Sequence, residues 1–388
     1  DTTMNIGGNI LLTNSAVFSV FSGITNSATP DYGALVSVTG SVSVGPSCWI
    51  YPSSDGINGG SPLFRMGSLT VATNGGFNAN VIGFATGGYY GDGRGPGATL
   101  CVGHAGGAGH GGRGGKGSGA AGGTTYGPSN APVHAGSSAG SYGGSYGGAG
   151  GGIIRVEAPR GAVTVNGSLT ANGGNGGGSW GGACGGAGAG GSIYLTCAQF
   201  LGTGTVSAVG GSADAGGNAG GGGGGRIAVI WTAHPWDDVW PPYPSANVAG
   251  GVAYNSGSNG LPGTVYLSFD PNAPRIDDRP AQNITAGSAD LVGQLTSTGS
   301  ASTTVMVYWG TNDGADVKSS WITNQMPGLQ TPGWITNPVV GLLPTTLYYY
   351  RFYASNAVGD DWGAPVTYFT TAGSPSVNNA AGATNITL

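Results

Sequence analysis

The run Gly220-Gly-Gly-Gly-Gly-Gly225-Arg-Ile-Ala-Val-Ile-Trp231 sets a tract of pure glycine directly against a phrase that reads as a β-strand. Gly152-Ile-Ile-Arg-Val-Glu157 and Gly191-Ser-Ile-Tyr-Leu-Thr196 are built the same way. Glycine-rich tracts lie around them at His104–Gly123, Ser137–Gly152, Gly173–Gly191 and Gly210–Gly225. Such composition normally means flexible coil. The phrases argue otherwise, because β-branched and aromatic residues bounded by glycine favour strands. If the phrases pair with one another, the tracts are loops pinned at regular points rather than tethers.

Working outward, Gly67-Ser-Leu-Thr-Val-Ala-Thr-Asn-Gly-Gly76, Gly167-Ser-Leu-Thr-Ala-Asn-Gly-Gly174 and Gly204-Thr-Val-Ser-Ala-Val-Gly-Gly211 read as three copies of one unit. The second and third are each joined to a GG-x-I phrase, and Gly263-Thr-Val-Tyr-Leu-Ser-Phe269 looks like a last strand of the same kind. Repeated short strands imply a solenoid. In a parallel β-helix the coils stack, strands pair between coils, and Val, Ile and Leu point inward. The GGA, GGR and GGK triplets within Gly106–Gly117 suit polyglycine II-like packing, since glycine lets backbones approach. Collagen is excluded, because no strict G-x-y register survives through Ser118–Tyr142. Residues 1–100 also read as β, with strands expected at Asn9–Thr13, Ala16–Phe21, Ala34–Thr39, Ser41–Val44 and Ser68–Ala72. No window carries a 3.6-residue apolar stripe.

Composition divides the chain. Of its 84 glycines, 48 fall between residues 101 and 226 and only 12 between 272 and 388. Charged residues are 7% of the total and the net charge is −5, so no basic field exists to attract nucleic acid or anionic lipid. No apolar run is long enough to span a membrane. The chain begins at Asp1 rather than Met, as a processed, exported protein would, and equally as a trimmed one would. Cys48, Cys101, Cys184 and Cys197 form no C-x-x-C pair, which argues against zinc. Disulfides and free buried thiols both stay open for them.

The pattern over residues 65–270 resembles the glycine-rich, β-strand-repeat surface proteins of Planctomycetes and Verrucomicrobia-type bacteria. Gly106–Gly123, Thr125-Tyr-Gly-Pro128, Gly147–Glu157 and the two GG-x-I phrases carry the likeness. It implies an exported, β-helix-like body and no particular activity. Further on, Leu342-x-Pro344-x-Thr346-x-Tyr348 resembles the tyrosine corner of fibronectin type III domains, with Asn356-Ala-Val-Gly359 and Tyr368-Phe-Thr-Thr371 in support. That resemblance implies a spacer or binding module without catalysis. Strands are expected at Leu291–Leu295, Thr303–Trp309, Tyr348–Ala354 and Val366–Thr371, at the spacing of a β-sandwich. The expected fold is therefore all-β: a glycine-rich parallel β-helix or solenoid-like body (1–270), a linker (271–279), a fibronectin III/Ig-like β-sandwich (280–372), and a tail (373–388) that could be a strand donated to a neighbouring subunit.

Chemistry is sparse. Only Asp1, Asp31, Asp55, Asp92, Glu157 and Asp214 supply carboxylates in residues 1–236. Asp92 and Glu157 are the pair a polysaccharide lyase or hydrolase would need. His104 and His110 share one tract and could hold a transition metal. Of the Asp-Asp pairs, Asp277-Asp278 at the domain junction is the best placed to take calcium, which prefers oxygen ligands. No resident cofactor is expected, calcium aside. His234-Pro-Trp-Asp-Asp-Val-Trp-Pro-Pro-Tyr243 either caps the solenoid or offers Trp236, Trp240 and Tyr243 as a stacking platform for a glycan or partner. Tyr89, Tyr90 and Trp180 are further aromatic candidates. The expected function is a non-enzymatic subunit of an extracellular or cell-surface fibre or matrix, a homopolymer growing head to tail. A carbohydrate-binding adhesin is the second reading, and a β-helix polysaccharide-active enzyme the third.

Overall fold

The computed structural model describes residues 2–24, 31–88, 90–100, 103–142, 144–178, 185–215, 217–232, 243–269, 273–314, 317–363, 367–374 and 382. The expectations placed on Cys101, Cys184, Trp236, Trp240, Asp237-Asp238, Tyr89, Trp180 and most of the tail fall outside them. The chain divides into two compact units, residues 1–231 with 240–269, and residues 232–239 with 270–388. Among the described residues there is no α-helix, only one 3-10 turn at Lys318–Ser320. None of their helices is long and apolar enough to cross a membrane.

The strands of the first unit are β1 (Thr2–Ile6), β2 (Ile10–Leu12), β3 (Val17–Phe21), β4 (Ala34–Val44), β5 (Trp49–Ser53), β6 (Pro62–Val71), β7 (Gly76–Asn78), β8 (Ile153–Val165), β9 (Ser168–Thr170), β10 (Ser192–Leu201), β11 (Thr205–Ser207), β12 (Arg226–Trp231), β13 (Ser245–Asn247) and β14 (Thr264–Phe269). One sheet runs in the order β1-β4-β6-β8-β10-β12-β14, with β2 also on β4, and the other in the order β3-β5-β7-β9-β11-β13. Every pairing in both is parallel. From β2 onward the chain thus visits the two sheets alternately, and each new strand lands beside the previous visitor.

Registers explain the core. Val36, Phe64, Val156, Leu195 and Val229 occupy one row across the first sheet. Ile50, Phe77, Leu169 and Val206 occupy one row across the second. All are buried in one cluster, where the rings of Phe64 and Phe77 meet edge to face at 5.4 Å. The phrases at Ile153, Ser192, Arg226 and Thr264 lie side by side in register, which is why their sequences match.

Two expectations need correction. Ala34–Thr39 and Ser41–Val44 are one strand, irregular between Val38 and Ser41 rather than broken. The copy at Gly67 belongs to the first sheet, where Leu69 pairs with Val163, whereas Leu169 and Val206 pair in the second. The partner of Leu169 on its other side is Phe77. Both sheets face the same core, so both use small-x-apolar phrases, and likeness alone does not say which sheet a phrase joins.

The glycine tracts all lie on one kind of connection, from a strand of the second sheet to the next strand of the first: β7 to β8, β9 to β10, β11 to β12 and β13 to β14. They are ordered without being strands. Along Gly186–Gly191, successive N–H groups donate to the carbonyls of Gly140, Gly220, Gly174, Ser137, Gly223 and Ala171. Residues three apart therefore address the same neighbouring segment. Along Gly220–Gly225 the acceptors are Ala105, Ser258, Gly211, Ala108, Leu261 and Ala208, with the same period. Three residues per turn without internal hydrogen bonds is polyproline II geometry, here packed as a bundle. The bundle supplies the backbone hydrogen bonds that a buried irregular segment would otherwise lack. Where its glycines touch neighbouring backbone there is no room for a Cβ: one at Gly188 would strike the carbonyl oxygen of Ala149, and one at Gly222 that of Gly188.

The second unit contains β15 (Arg275–Gln282), β16 (Ser288–Ser297), β17 (Thr303–Gly310), β18 (Thr323–Gln330), β19 (Gly333–Val340), β20 (Leu347–Ser355), β21 (Asp360–Trp362) and β22 (Thr367–Thr370). Residues 275–279, expected as linker, are strand. Two antiparallel sheets result, β15-β16-β19 and β18-β17-β20-β21 with β22 also on β20. Leu291, Leu295 and Ile335 from the first meet Val305, Val307, Tyr350 and Phe352 from the second in one core. Tyr348 accepts a hydrogen bond at its hydroxyl from the N–H of Leu343, 3.0 Å, which closes the turn that contains Pro344.

Candidate functional site

Among the described residues, each parallel sheet of the first unit ends in strands with one unpaired edge. These strands are β1 and β14 in one sheet, β3 and β13 in the other. Their residues continue the inward rows. Met4 pairs with Val36 at one end and Leu267 with Val229 at the other. Within the sheet that row is buried, yet Met4 and Leu267 are each 46% exposed. Val265, in one row with the buried Ile227, is also exposed. Burying a Leu or Met side chain contributes roughly 1.5–3 kcal/mol, so these ends carry an unmet apolar demand beside free ladder groups. The sequence marked Gly263–Phe269 as a last strand but not the other ends, because an end strand has the same composition as an interior one.

A polar cluster joins the glycine bundle to the outer face of the first sheet. Arg226 donates from Nε and Nη2 to the carbonyl of Tyr126 at 3.1 and 2.9 Å, and from Nη1 to Thr264 at 2.9 Å. Ser192, in register with Arg226, donates to the carbonyl of His134 at 2.7 Å. The Tyr126 hydroxyl takes a hydrogen bond from Ser137 and gives one to the carbonyl of Ala135. Its ring lies 4.6 Å from that of His110. His110 is fully buried, with Nδ1 2.8 Å from the carbonyl of Gly190. Burial holds its pKa down to about 3, so the ring is neutral and Nδ1 carries the donated proton. Burial likewise raises the Tyr126 phenol. Neither is activated for proton transfer near neutrality. The arrangement can clamp the bundle onto the sheet.

The remaining expected residues separate. Tyr243 stacks on Phe200 at 6.1 Å and leans on Trp231 at 5.5 Å, closing the end of the core instead of standing out as a platform. Cys48 and Cys197 are free, buried thiols, not half-cystines. Burial raises the Cys197 thiol to about 12. Asp277 and Asp278 do not converge on one cation, because neighbours in a strand face opposite ways. The fully buried Asp278 carboxylate accepts the Phe352 N–H at 2.8 Å, while Asp277 pairs with Arg279 at 2.9 Å. Among the described residues no group of three or more His, Cys, Asp or Glu side chains could hold a metal ion, His104 and His110 included. Glu157 lies between two guanidiniums, 2.8 Å from Arg65 and 3.3 Å from Arg155, and Arg155 also meets Asp31 at 2.9 Å.

No protein-family model matches the chain, and no curated protein matches it. Among solved structures it is similar to the sensor domain of the anti-sigma factor RsgI4 of Pseudobacteroides cellulosolvens. The longer form is 18% identical and covers 27% of this chain and 95% of that one, at a TM-score of 0.20. The solution structure of the same domain is 19% identical and covers 30% and 94%, also at 0.20. A likeness at that TM-score carries no argument about fold or function.

Proposed function

We propose that this chain is a non-catalytic structural subunit of an extracellular or cell-surface fibre. On this reading the first unit is a β-solenoid, each coil one visit to each sheet, and the second is a fibronectin III-like spacer. Addition is head to tail: β1 of one copy continues the sheet that ends at β14 of the next, and β3 continues the one that ends at β13. The observation that carries this is the shared register. Met4 and Leu267 extend one row, and Phe18 and Ala246 extend another. All strands are parallel, so a second copy added at either end keeps strand direction in both sheets at once. Closure is not built in, and an open heterologous contact of this kind generates filaments.

Negative-stain microscopy with light scattering tests it. The wild-type chain is expected to form filaments whose length grows with concentration. Leu267→Asp and Met4→Asp place a charge on surfaces already half exposed, so each is expected to keep the wild-type melting temperature within a few degrees. Each is also expected to shorten or abolish the filaments. Monodisperse wild-type monomers under all conditions, or filaments indifferent to both substitutions, would sink the proposal.

A further inference from the structure

The outer face of the β15-β16-β19 sheet carries an arrangement that fibre assembly does not use. Asp277, Gln294 and Trp334 lie in one row across its three strands. Trp334 is 65% exposed, so one face of its indole is open to solvent. Beside it, Arg279 Nη2 donates to both Asp277 Oδ2 and Gln294 Oε1, each at 2.9 Å. Its guanidinium carbon sits 5.8 Å from the centre of the Trp334 ring. In the next row, Val292 is buried on this same face and pairs with Arg279 and Thr336. One flat, solvent-facing ring is thus flanked by a planar array of donor and acceptor groups already held in position by one another.

We propose that this face binds a neutral pyranose unit of a polysaccharide, with the sugar's C–H face on Trp334 and its edge hydroxyls on Gln294, Asp277 and Arg279. The chemistry selects this occupant. A pyranose ring is apolar on its faces and hydrogen-bonding around its rim, which is the pattern of one aromatic surface beside fixed polar groups. Arg279 is neutralised by Asp277, so the site holds no spare positive charge for a uronate. A peptide adding as a strand to the edge of β19 meets Pro338, which has no N–H to offer the ladder. Trp334 is bordered by the polar groups of Gln294, Asp277 and Arg279, which suit the hydroxyl rim of a sugar. The site is independent of the head-to-tail contact, so either proposal can fail without the other.

Affinity electrophoresis of the full chain in native gels containing hydroxyethylcellulose, xyloglucan, arabinoxylan, galactomannan or polygalacturonate tests it. At least one neutral polymer is expected to retard the wild-type chain. Trp334→Ala should raise the dissociation constant at least tenfold with an unchanged melting temperature, Gln294→Ala should raise it severalfold, and Trp334→Phe should restore part of the binding. Retardation by no neutral polymer, by polygalacturonate alone, or equally in Trp334→Ala overturns the proposal. So does a Trp334→Ala chain that changes only its self-association by light scattering, since the face would then be a contact between copies.

Discussion

A chain carrying Gly222→Val is expected not to fold its first unit. Gly222 donates to Gly211 and accepts from Gly251, and its missing Cβ faces the carbonyl of Gly188. The obstacle is backbone, so no side chain can rotate away, and the segment holding it is itself bonded on several sides. Overpacking a core with movable side chains costs about 1–3 kcal/mol. Here a larger cost is expected, on the order of the whole ~5–15 kcal/mol stability of a domain. Gly178→Ala is the matched control, because nothing lies within 4 Å of its added methyl. Circular dichroism and limited proteolysis should show the valine chain unfolded and the control melting within a few degrees of wild type. Equal melting of the two would mean that the glycine bundle is not packed as described.

The two units are expected to respond to acid in opposite directions. In the second, burial raises Asp278 well above an ordinary carboxylate and raises Asp361 to about 7. Asp277 adds to both shifts. Arg351 opposes both, as do the backbone N–H groups of Phe352 and Ile276, and Arg275 further opposes that of Asp361. A carboxyl that holds its proton more tightly when folded stabilises the fold below the ordinary carboxylate range, and that contribution is lost as pH rises towards 7. Asp361 keeps partial exposure, so the effect is on the order of 1–2 kcal/mol, ~5–10 °C for a unit of this size. In the first unit His110 is held neutral down to about 3, so its contribution is lost as pH falls below the ordinary histidine value near 6.5. Calorimetry from pH 8 to pH 5 should show one transition rising and the other falling. Asp361→Asn should flatten the rising one, and Asp278→Asn should too, since its amide oxygen can still accept from Phe352. A second-unit transition that falls with acid would contradict this.

Much of the architecture was legible because parallel pairing repeats its own requirements. Ile154, Ile193 and Ile227 stand in one buried row, and the phrases around them match for that reason. Where one core is shared by two sheets, the same likeness misleads, as it did for Leu69. The tracts were legible as pinned loops, and the triplets of Gly106–Gly117 as polyglycine II-like packing. Which segments pack together was not, because a glycine's neighbours can lie a hundred residues away and leave no mark on its own sequence. Gly220 donating to Ala105 is the plainest case. The acidic pair showed its residue types but not its directions. Asp278 became a buried hydrogen-bond acceptor and Asp277 joined a surface network, a division decided by which strand packs over β15. Trp334 went unmarked because a single tryptophan in an alternating strand reads as core, and only its position on the outer face of an edge strand shows that it is not.

The period with which the glycine tracts address their neighbours amounts to a reading frame. Each N–H has a destination fixed by its position modulo three, as the six donors of Gly220–Gly225 show. Losing or gaining one residue turns everything beyond it by about 120° and misdirects every later donor. Losing or gaining three advances the tract by one turn, about 9 Å, and returns each donor to its own partner segment. Within a packed run, length is therefore free to vary only in triplets, as a message keeps its frame, while residues outside those runs take up other differences: Ser207 to Arg226 and Asn247 to Thr264 are equivalent spans that differ by two residues.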